Sequence, residues 1–553
     1  MKQKIFALFL ILCGLCLNLK AETQGDIVGR VLDDSGAPLV GATVQILHAK
    51  GGVTTDEDGY FRIPYTKDGA VRVKVSFVGY QTQTFVLKAD ERKGEQHVLR
   101  LQPDATALDQ VVVTATRTPK ALKDAPVVTR LITANDIKIA DATNIQDLLT
   151  EQMPGLEFGY AMNQETSLNM NGFGGNAVLF LVDGERLAGE TMDNVDYSRL
   201  NLDNVGRIEI VKGAASALYG ASAVAGVINI ISRENSEPWT ANVNTRYNDF
   251  NKEWRHGGSF SFNAGKWNSQ TSIQRTTSDE VQLTSPFDTE SNILHIYGGE
   301  TFNVKERLTY KLSNKVKLIG RGGYFARISN RSNYDDHYKD YSAGLKTVMN
   351  LSENDNLEIS YGFDQYDKTR FVNNERTHDH DYTNRQNTVR ALYSHIFGKN
   401  TLTAGADFLN DYLTTYQFAN NGSKTQNSYD AFAQFDYNPL QWLNIVASLR
   451  HDYFSASSQH ATTGRLALMT KWKGFSIRAN YAGGFRAPTL KEMYMNFDMA
   501  GMQMIYGNPD LKPEKSNNFN LALEHTGRVK NAGFFTGQYS LTLMGYYNKY
   551  DKR

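Results

Sequence analysis

The pattern that most constrains this chain is a two-residue alternation of apolar and polar side chains, which recurs from Pro238 onward. One run places four apolar side chains at alternate positions: Leu357, Ile359, Tyr361 and Phe363. Because successive side chains of a β-strand point to opposite faces, this period predicts strands with one apolar and one polar face. Long runs of this kind are typical of transmembrane β-barrels, which face lipid outside and water inside. A soluble secreted β-protein is the alternative that this pattern leaves open.

The composition argues against two other classes of protein. The 59 basic and 59 acidic residues balance, so no excess positive charge indicates a nucleic-acid partner. A mean hydropathy of −0.45, with no long apolar run after the first residues, argues against membrane-spanning helices. The 29 tyrosines and 28 phenylalanines are numerous enough to form the aromatic girdles of a membrane barrel.

Residues 1–21 have the pattern of a secretory signal peptide. Two lysines precede a mostly apolar run over residues 5–17, and Ala21 offers a small-residue cleavage site. Both cysteines, Cys13 and Cys16, lie inside this segment. We therefore expect the mature chain to hold no disulfide, no thiolate metal site and no cysteine nucleophile.

Residues 24–103 predict a small β-sandwich, because turns rich in Asp and Gly recur between apolar runs such as Val71–Val78. Three of its segments, Gly29–Val44, Thr54–Ile63 and Val75–Tyr80, resemble the carboxypeptidase-regulatory-like domain. That name implies no peptidase, and the segment contains no recognisable catalytic set.

The linker at residues 107–120 contains the segment ALDQVVVTATRTP, in which a short β-prone run, Val111–Thr114, is flanked by polar residues and followed by Pro119. It resembles a TonB box, the segment that adds as an extra strand to a sheet edge of an energy-transducing partner. The resemblance implies that TonB is bound by Asp109, Gln110, Val111, Val112, Val113, Thr114 and Ala115.

Residues 121–234 resemble the plug domain of TonB-dependent outer-membrane receptors. A short amphipathic helix is predicted at Asn144–Glu151, and a buried strand at Val178–Val182. The last part, Val205–Arg233, has two β-branched runs around a small-residue segment with three glycines. Small residues at this density permit close backbone approach, as in a domain packed inside another.

Two blocks in residues 235–553 resemble the paired FRAP and NPDL signatures of the same receptors: Gly483–Tyr494 and Gly507–Phe519. Pro488 and Pro509 interrupt strand pairing, so both blocks are predicted to border or lie in an external loop. The implied fold is mostly β, a small β-sandwich and then an α+β plug inside a transmembrane antiparallel β-barrel. The implied location is the outer membrane, with the N-terminal domain in the periplasm.

The barrel segment is short for this fold. Plugged outer-membrane transporters have about 22 strands, whereas the alternation identifies only about fifteen. We therefore expect a C-terminally truncated chain whose incomplete barrel has a gap between its first and last strands.

The resemblance implies active import and no enzyme activity, and no nucleophile–base set, P-loop or HExxH motif is present. TonB, with ExbB and ExbD as its energy source, would pull on the box and shift the plug. The modest barrel favours a small metal chelate, which is a siderophore, haem or cobalamin. No resident cofactor is implied, because iron, haem or cobalt belongs to the transported ligand. An importer of an oligosaccharide or peptide, and a non-transporting binding or signalling receptor, stay open.

Two groups of residues are candidates for ligand contact. Thioethers are soft and adaptable ligands, and aromatic residues accompany them between the two signature blocks: Met493, Tyr494, Met499, Met502, Met504 and Tyr506. An apolar loop surface is the alternative there. His378 and His380 lie in a polar stretch predicted to be an outer loop, and would face the same side if extended. A solvated loop without a ligand is the alternative for this pair.

Overall fold

The computed structural model describes residues 27–33, 38–39, 42–47, 52–56, 58–64, 70–77, 82–87, 97–101, 111–160, 164–190, 194–235, 237–283, 294–499, 501–532 and 535–550. The predicted signal peptide lies outside them. The chain forms two compact units, residues 1–110 with 121–123, and residues 111–120 with 124–553. Among the described residues, no helix is both long and apolar enough to span a membrane.

The first unit contains two sheets that share one apolar core, as the predicted sandwich requires. Val71, Val73 and Val75 are buried, whereas Arg72 and Lys74 between them are exposed. One sheet has the strand order β4-β1-β7 and the other β3-β2-β5-β6. The strands are β1 (Ile27–Leu32), β2 (Thr43–Ile46), β3 (Gly52–Thr54), β4 (Tyr60–Ile63), β5 (Val71–Ser76), β6 (Gln83–Leu87) and β7 (His97–Arg100).

The linker and the plug belong to the second unit, apart from residues 102–110 and 121–123, which are grouped with the first. The plug contains a five-stranded mixed sheet of order β10-β16-β17-β14-β15 and a three-stranded sheet of order β11-β12-β13. The strands from the linker to the end of the plug are β8 (Val111–Val112), β9 (Lys120–Ala121), β10 (Thr129–Thr133), β11 (Leu156–Tyr160), β12 (Thr166–Met170), β13 (Phe173–Gly174), β14 (Val178–Val182), β15 (Glu185–Arg186), β16 (Val205–Lys212) and β17 (Gly226–Ser232). Its helices are α1 (Ala134–Ala140), α2 (Ile145–Gln152) and α3 (Ser216–Tyr219), with 3₁₀ turns at Leu122–Asp124, Gly175–Ala177 and Tyr197–Arg199.

The predicted elements of the plug are confirmed. Helix α2 begins one residue after the predicted start, because the Asn144 side chain accepts the Asp147 N–H and caps it. Its apolar side, with Leu148 and Leu149, packs into a core shared with both plug sheets. Strand β14 has the predicted bounds, and it is buried because it pairs with β17 and β15 on its two edges.

The glycines of the small-residue segment allow the plug to approach the barrel wall closely. Gly220 has φ +74°, and a Cβ there would lie 2.5 Å from Nη2 of Arg450 on the wall. Gly213 has φ +85°, and its Cβ would meet the Asn520 side chain. Both positions combine a left-handed backbone with no room for a side chain, which only glycine tolerates well.

Fifteen strands form one antiparallel sheet in sequential order around the plug, which confirms the predicted number. They are β18 (Trp239–Asn248), β19 (Glu253–Ala264), β20 (Trp267–Ser278), β23 (Gly299–Lys311), β24 (Val316–Asn330), β25 (Asp335–Asn350), β26 (Asp355–Val372), β27 (Glu375–Phe397), β28 (Asn400–Thr415), β29 (Ser423–Leu440), β30 (Leu443–Phe454), β31 (Gln459–Trp472), β32 (Phe475–Arg486), β35 (Glu514–Ala532) and β36 (Phe535–Tyr550). Among the described residues, β18 pairs with β19 alone and β36 with β35 alone, so the sheet is open between them. Truncation of the chain stays a prediction.

The connections define two ends of this sheet. We call the end at which residues 487–513 join β32 to β35 the loop end, and the opposite end, with tight turns such as 473–474, the turn end. The two signature blocks border the 487–513 connection, as predicted. The smaller elements at the loop end are β21 (Val281–Leu283), β22 (Leu294–Ile296), a 3₁₀ turn (Ala419–Asn421), α4 (Leu490–Tyr494), β33 (Asn496–Asp498) and β34 (Met504–Tyr506).

The alternation places polar residues inside the sheet and apolar residues outside. On β26, Ser360 and Asp364 are buried towards the plug, whereas Ile359 and Tyr361 are exposed on the outer face. This is the reverse of a soluble β-sandwich, in which the apolar face is the buried one. The outer face therefore has the character that a lipid-facing barrel requires.

Candidate functional site

The segment that resembles a TonB box is folded against the plug and the barrel wall. Residues Val111–Ala115 lie within the described part of the chain, whereas Asp109 and Gln110 lie outside it. The first described residue is exposed, and the residues that follow are buried or half-buried. In this conformation the segment presents little free strand edge to a partner.

One buried carboxylate holds the middle of this segment. Glu209 on strand β16 accepts at Oε2 the Val113 N–H (2.9 Å), the Thr114 N–H (2.8 Å) and the Thr114 hydroxyl (2.6 Å). Its other oxygen pairs with Arg207 Nε at 2.8 Å. Hydrogen bonds to a charged acceptor are stronger than those between neutral groups, so Glu209 fixes the backbone of this segment on the plug.

The barrel wall binds the same segment from its other side. Gln434 donates to the carbonyl of Thr116 (2.7 Å), and Arg465 donates to the carbonyl of Ala115 (3.3 Å). Strand addition uses the main-chain groups of the added segment. These groups are engaged here, so the segment must leave its site before it can pair with another sheet.

Arg117, just after the segment, lies in a buried cluster between plug and wall. Its guanidinium stacks on the rings of Tyr219 (4.4 Å) and Phe432 (4.9 Å), and lies 3.7 Å from Asp407. Burial lowers the pKa of Arg117 to about 10, and the positive charge of Arg390 acts in the same direction. The carboxylate of Asp407 raises the pKa but does not outweigh them. A buried cation of this kind is retained only while its aromatic and acidic partners stay in place.

At the loop end, the plug meets the wall through a second set of charges. Glu165 accepts the Tyr338 hydroxyl (2.9 Å), and Asp196 accepts the Tyr366 hydroxyl (2.8 Å). Arg327 lies between both carboxylates, 3.3 Å from Glu165 and 3.0 Å from Asp196. Burial raises the pKa of Asp196, but Arg327 and the hydroxyl donors outweigh burial, so the pKa lies below its ordinary value.

The candidate methionines and tyrosines fall into two groups. Met493, on α4, is buried in an aromatic cluster with Tyr338 and Tyr366, and the neighbouring Tyr494 packs beside it. The others lie on or beside the hairpin of β33 and β34, where they are exposed: Met499, Met502, Met504 and Tyr506. The structure therefore does not bring all six side chains to one surface.

The outer loop predicted around His378 and His380 is wrong, because both residues belong to strand β27. The hairpin of β26 and β27 continues past the apolar part of the sheet, where both faces are polar and the alternation signal disappears. His378 Nδ1 lies 2.9 Å from Asp381, and His380 Nδ1 lies 3.3 Å from Asp379. Each imidazole has its own carboxylate, and the described residues contain no group of three His, Cys, Asp or Glu placed to hold a metal.

Sequence reasoning missed Glu209, Glu165 and Arg327. For Glu209 a signal was available, because a single carboxylate between two isoleucines in a buried strand needs a partner. For Glu165 and Arg327 no local signal exists, since they meet across a separation of 162 residues.

A sheet wrapped around a plug, with a strand-prone segment docked between the two, defines a plugged β-barrel. Family models match the chain in three parts: "TonB dependent receptor-like, beta-barrel" at residues 285–553, "TonB-dependent Receptor Plug Domain" at residues 121–227 and "CarboxypepD_reg-like domain" at residues 27–113. The chain belongs to the TonB-dependent receptor family, whose members are receptors and transporters of the outer membrane.

Similar proteins share this architecture at low identity. The iron-regulated outer membrane virulence protein of Vibrio cholerae is 25% identical over 450 residues, which cover 76% of this chain and 67% of that protein. The vitamin B12 transporter BtuB of Vibrio cholerae is 27% identical over 453 residues, which cover 77% and 68%. The crystal structure of the siderophore receptor PirA from Pseudomonas aeruginosa matches with a TM-score of 0.62 and 17% identity, over 76% of this chain and 74% of that one. The last similarity concerns the fold alone.

Proposed function

We propose that this protein imports a metal chelate across the outer membrane, driven by TonB through residues Asp109–Ala115. The observation that carries the proposal is the plug itself, which contacts the docked segment through Glu209 and the loop end through Glu165. One apolar core lies beneath both contacts, since it includes Ile208 and Ile210 beside Glu209 and Leu168 near Glu165. Ligand bound at the loop end and a partner bound to the segment would therefore act on the same body.

The chemistry of the loop end supports an anionic chelate with flat or aromatic groups. Cationic side chains stack on tyrosines there, in three pairs: Arg331 over Tyr297 (4.6 Å), Arg370 over Tyr334 (3.7 Å) and Lys424 over Tyr494 (4.4 Å). Such pairs bind anions through the cation and planar groups through the ring. Carboxylates already pair with two of these cations, Glu165 with Arg331 (3.8 Å) and Asp336 with Arg370 (2.8 Å), so within this set an anion would pair with Lys424. The named relatives, an iron-regulated protein and a vitamin B12 transporter, agree with a siderophore, haem or cobalamin as cargo.

Further parts of the proposal follow from the family. ExbB and ExbD supply energy to TonB, outer-membrane lipid surrounds the apolar outer face of the sheet, and the N-terminal β-sandwich lies in the periplasm. The exposed hairpin residues Met499, Met502, Met504 and Tyr506 contact the ligand, together with Tyr494, His378 and His380 at its border. Met493 is buried beside them and does not reach the ligand in this conformation.

Deletion of residues 109–116 tests the coupling. We expect uptake of ⁵⁵Fe-enterobactin, haemin or ⁵⁷Co-cyanocobalamin to fall to the background of cells without the gene, while binding at 4 °C stays within twofold. Uptake that survives the deletion contradicts the role of this segment. Growth of gene-deleted and complemented cells on each compound as sole source identifies the cargo. If none of the three is used, an oligosaccharide or peptide importer or a non-transporting receptor replaces the proposal.

A further inference from the structure

One acidic side chain lies on the outer face of the sheet, in the part that faces lipid. Strand β23 directs Lys305 and Arg307 inward, where both contact residues of the plug. Successive side chains of a strand point to opposite faces, so Glu306 between them points outward. It shares that face with Leu308, which is 37% exposed.

Glu306 lies at the depth of the hydrocarbon core. The rings of Trp267 and Tyr310, with centroids 4.3 Å apart, form an aromatic pair near the turn end, where a barrel meets the membrane interface. Glu306 comes four residues before Tyr310 on β23. At a rise of about 3.3 Å per residue and a tilt of about 40°, this spacing places it roughly 10 Å into the apolar band. The neighbouring strands expose apolar side chains at a similar depth, such as Phe260 and Ile273.

Two hydroxyl groups donate hydrogen bonds to this carboxylate. Ser269 Oγ lies 2.6 Å from Oε1, and Thr271 Oγ1 lies 2.5 Å from Oε2. Hydroxyl groups orient a carboxylate but leave its charge in place. Glu300, on the same face nearer the loop end, pairs with Arg275 at 2.7 Å. Glu306 has no such ion pair within the described part of the chain, so its charge is not offset there.

Small side chains around Glu306 leave a hollow in the outer face. On β24, Gly320 and Gly322 lie outward, because Arg321 between them donates inward to the plug. A Cβ at Gly322 would have no atom within 4 Å, so the space above it is open. Ala343 on β25 is exposed directly beside Gly322. We define the Glu306 hollow by its five small or hydroxyl-bearing neighbours: Ser269, Thr271, Gly320, Gly322 and Ala343.

The Glu306 hollow has a polar centre and an apolar border. Large exposed side chains surround it: Phe260, Ile273, Leu308 and Leu345. Small residues let the surfaces of two membrane proteins approach closely, and polar contacts add to the packing between them. Ionisable residues within a membrane are costly, and they pair with one another or mark a functional site. This arrangement therefore fits a contact with another protein better than a contact with lipid.

We propose that the Glu306 hollow binds another outer-membrane protein, which presents a lysine or arginine to Glu306. A cation is required because only an opposite charge offsets the cost of a carboxylate at this depth. A lipid ammonium group lies at the membrane surface and does not reach so far. The inference does not depend on the proposed import.

A second copy of this chain does not fit the same surface. The outward cations on the neighbouring described strands, Arg275 and Lys339, lie nearer the loop end. Two copies joined at the hollow would bring two Glu306 carboxylates together without a cation, and like charges in a medium of low dielectric repel strongly. The partner is therefore a different protein with a membrane-embedded basic residue.

Photo-crosslinking in cells tests this surface. p-Benzoylphenylalanine replaces Ala343 in the hollow or, as the matched control, Ala433, which is also exposed and outward, on β29. We expect an adduct between position 343 and one outer-membrane protein, identified by mass spectrometry, at a yield at least tenfold above that from position 433.

The charge of Glu306 is tested in the same crosslinking background. Glu306→Gln keeps the size of the side chain but removes its charge, so the adduct should fall at least fivefold. Glu300→Gln, outside the hollow, should change the yield less than twofold. Glu306→Lys should abolish the adduct, and replacement of the partner's basic residue by glutamate should restore it.

The outcomes against the proposal are equally specific. Adducts with lipid alone, adducts with a second copy, or an equal yield in Glu306→Gln would each overturn it. The Tm of the purified Glu306→Gln protein in detergent should not fall, because a charge on the lipid face adds nothing to folding. A lower Tm would assign Glu306 a structural role within the barrel and would also overturn the proposal.

Discussion

The two sides of the barrel lumen hold the plug in different ways. On the side formed by β28–β32, wall side chains bind plug main chain directly, as Arg478 does at the Ala125 carbonyl (2.9 Å), and Lys120 pairs with Asp436 (2.6 Å). On the side formed by β20 and β23–β26, wall side chains also bind plug main chain, as Arg321 does at the Val182 carbonyl (3.0 Å). A buried plug cation adds to these contacts, because Arg199 Nη2 lies 2.6 Å from Asp340 and 2.8 Å from Asp364. The docked segment that resembles a TonB box lies on the first side. The plug is therefore held on both sides, and the buried ion pairs of Arg199 distinguish the second side from the first.

Of these substitutions, replacement of Arg199 should lower the free energy of unfolding of the plug the most. Arg199→Met leaves Asp340 and Asp364 as buried carboxylates without their cation. Breaking a buried pair from one side costs about 3–5 kcal/mol. We expect the free energy of unfolding of the plug, measured by denaturant titration in detergent, to fall by that amount. The double variant with Asp340→Asn should recover part of the loss, and an unchanged stability would show that these ion pairs do not hold the plug.

Loss of Glu209 should free the docked segment on the opposite side. Glu209→Gln turns an acceptor of three hydrogen bonds into a group that also carries donors, and an unsatisfied buried donor costs about 1–3 kcal/mol. When Glu209→Gln is combined with Ala115→Cys, we expect the thiol at position 115 to be labelled at least fivefold faster than in Ala115→Cys alone. Glu157→Gln, on an exposed strand position of the plug, is the matched control and should change nothing. Slower or equal labelling would contradict the conclusion that Glu209 holds the docked segment in place.

Acid should weaken the loop-end contact through Asp196. The pKa of this carboxyl is lowered in the folded protein, so its contribution to stability is complete above the unfolded value of about 3.9 and is lost as pH falls through the lower folded value. We expect Tm to be level from pH 7 to about 4 with respect to this group and to decline below. Asp196→Asn should flatten that decline. If the Tm of Asp196→Asn declines as steeply at low pH as that of the unmodified protein, other carboxylates cause the decline.

Loss of the ion pair between Arg307 and Glu234 (3.0 Å), towards the turn end, should have the smallest effect. Glu234 is largely exposed, and exposed pairs contribute about 0–1 kcal/mol. Arg307→Met should therefore change the free energy of unfolding by less than about 1 kcal/mol, in contrast to Arg199→Met. A loss as large as that of Arg199→Met would show that the exposed pair holds the plug as strongly as the buried one.

Much of the fold was predictable because its signals are local. The alternation around Ile359 predicts a strand whatever element lies beside it. The ends of the helix capped by Asn144 and of the strand Val178–Val182 are set by residues next to them in the sequence. The sequence around His378 does not distinguish a strand from a loop, because a strand with water on both faces has no apolar period. The candidate methionines share a stretch of chain, yet Met493 turned inward to an aromatic cluster while Met502 is 71% exposed.

The sequence by itself determined the class of this protein, the number of barrel strands and the segment that resembles a TonB box, because each depends on periodicity or on residues close in the chain. Only the tertiary structure decided which groups meet inside the lumen. Glu209 reaches a segment 95 residues away, and Arg199 reaches Asp364 over 165 residues. Such pairings depend on how the plug is oriented within the wall, and side-chain period carries no information about that orientation.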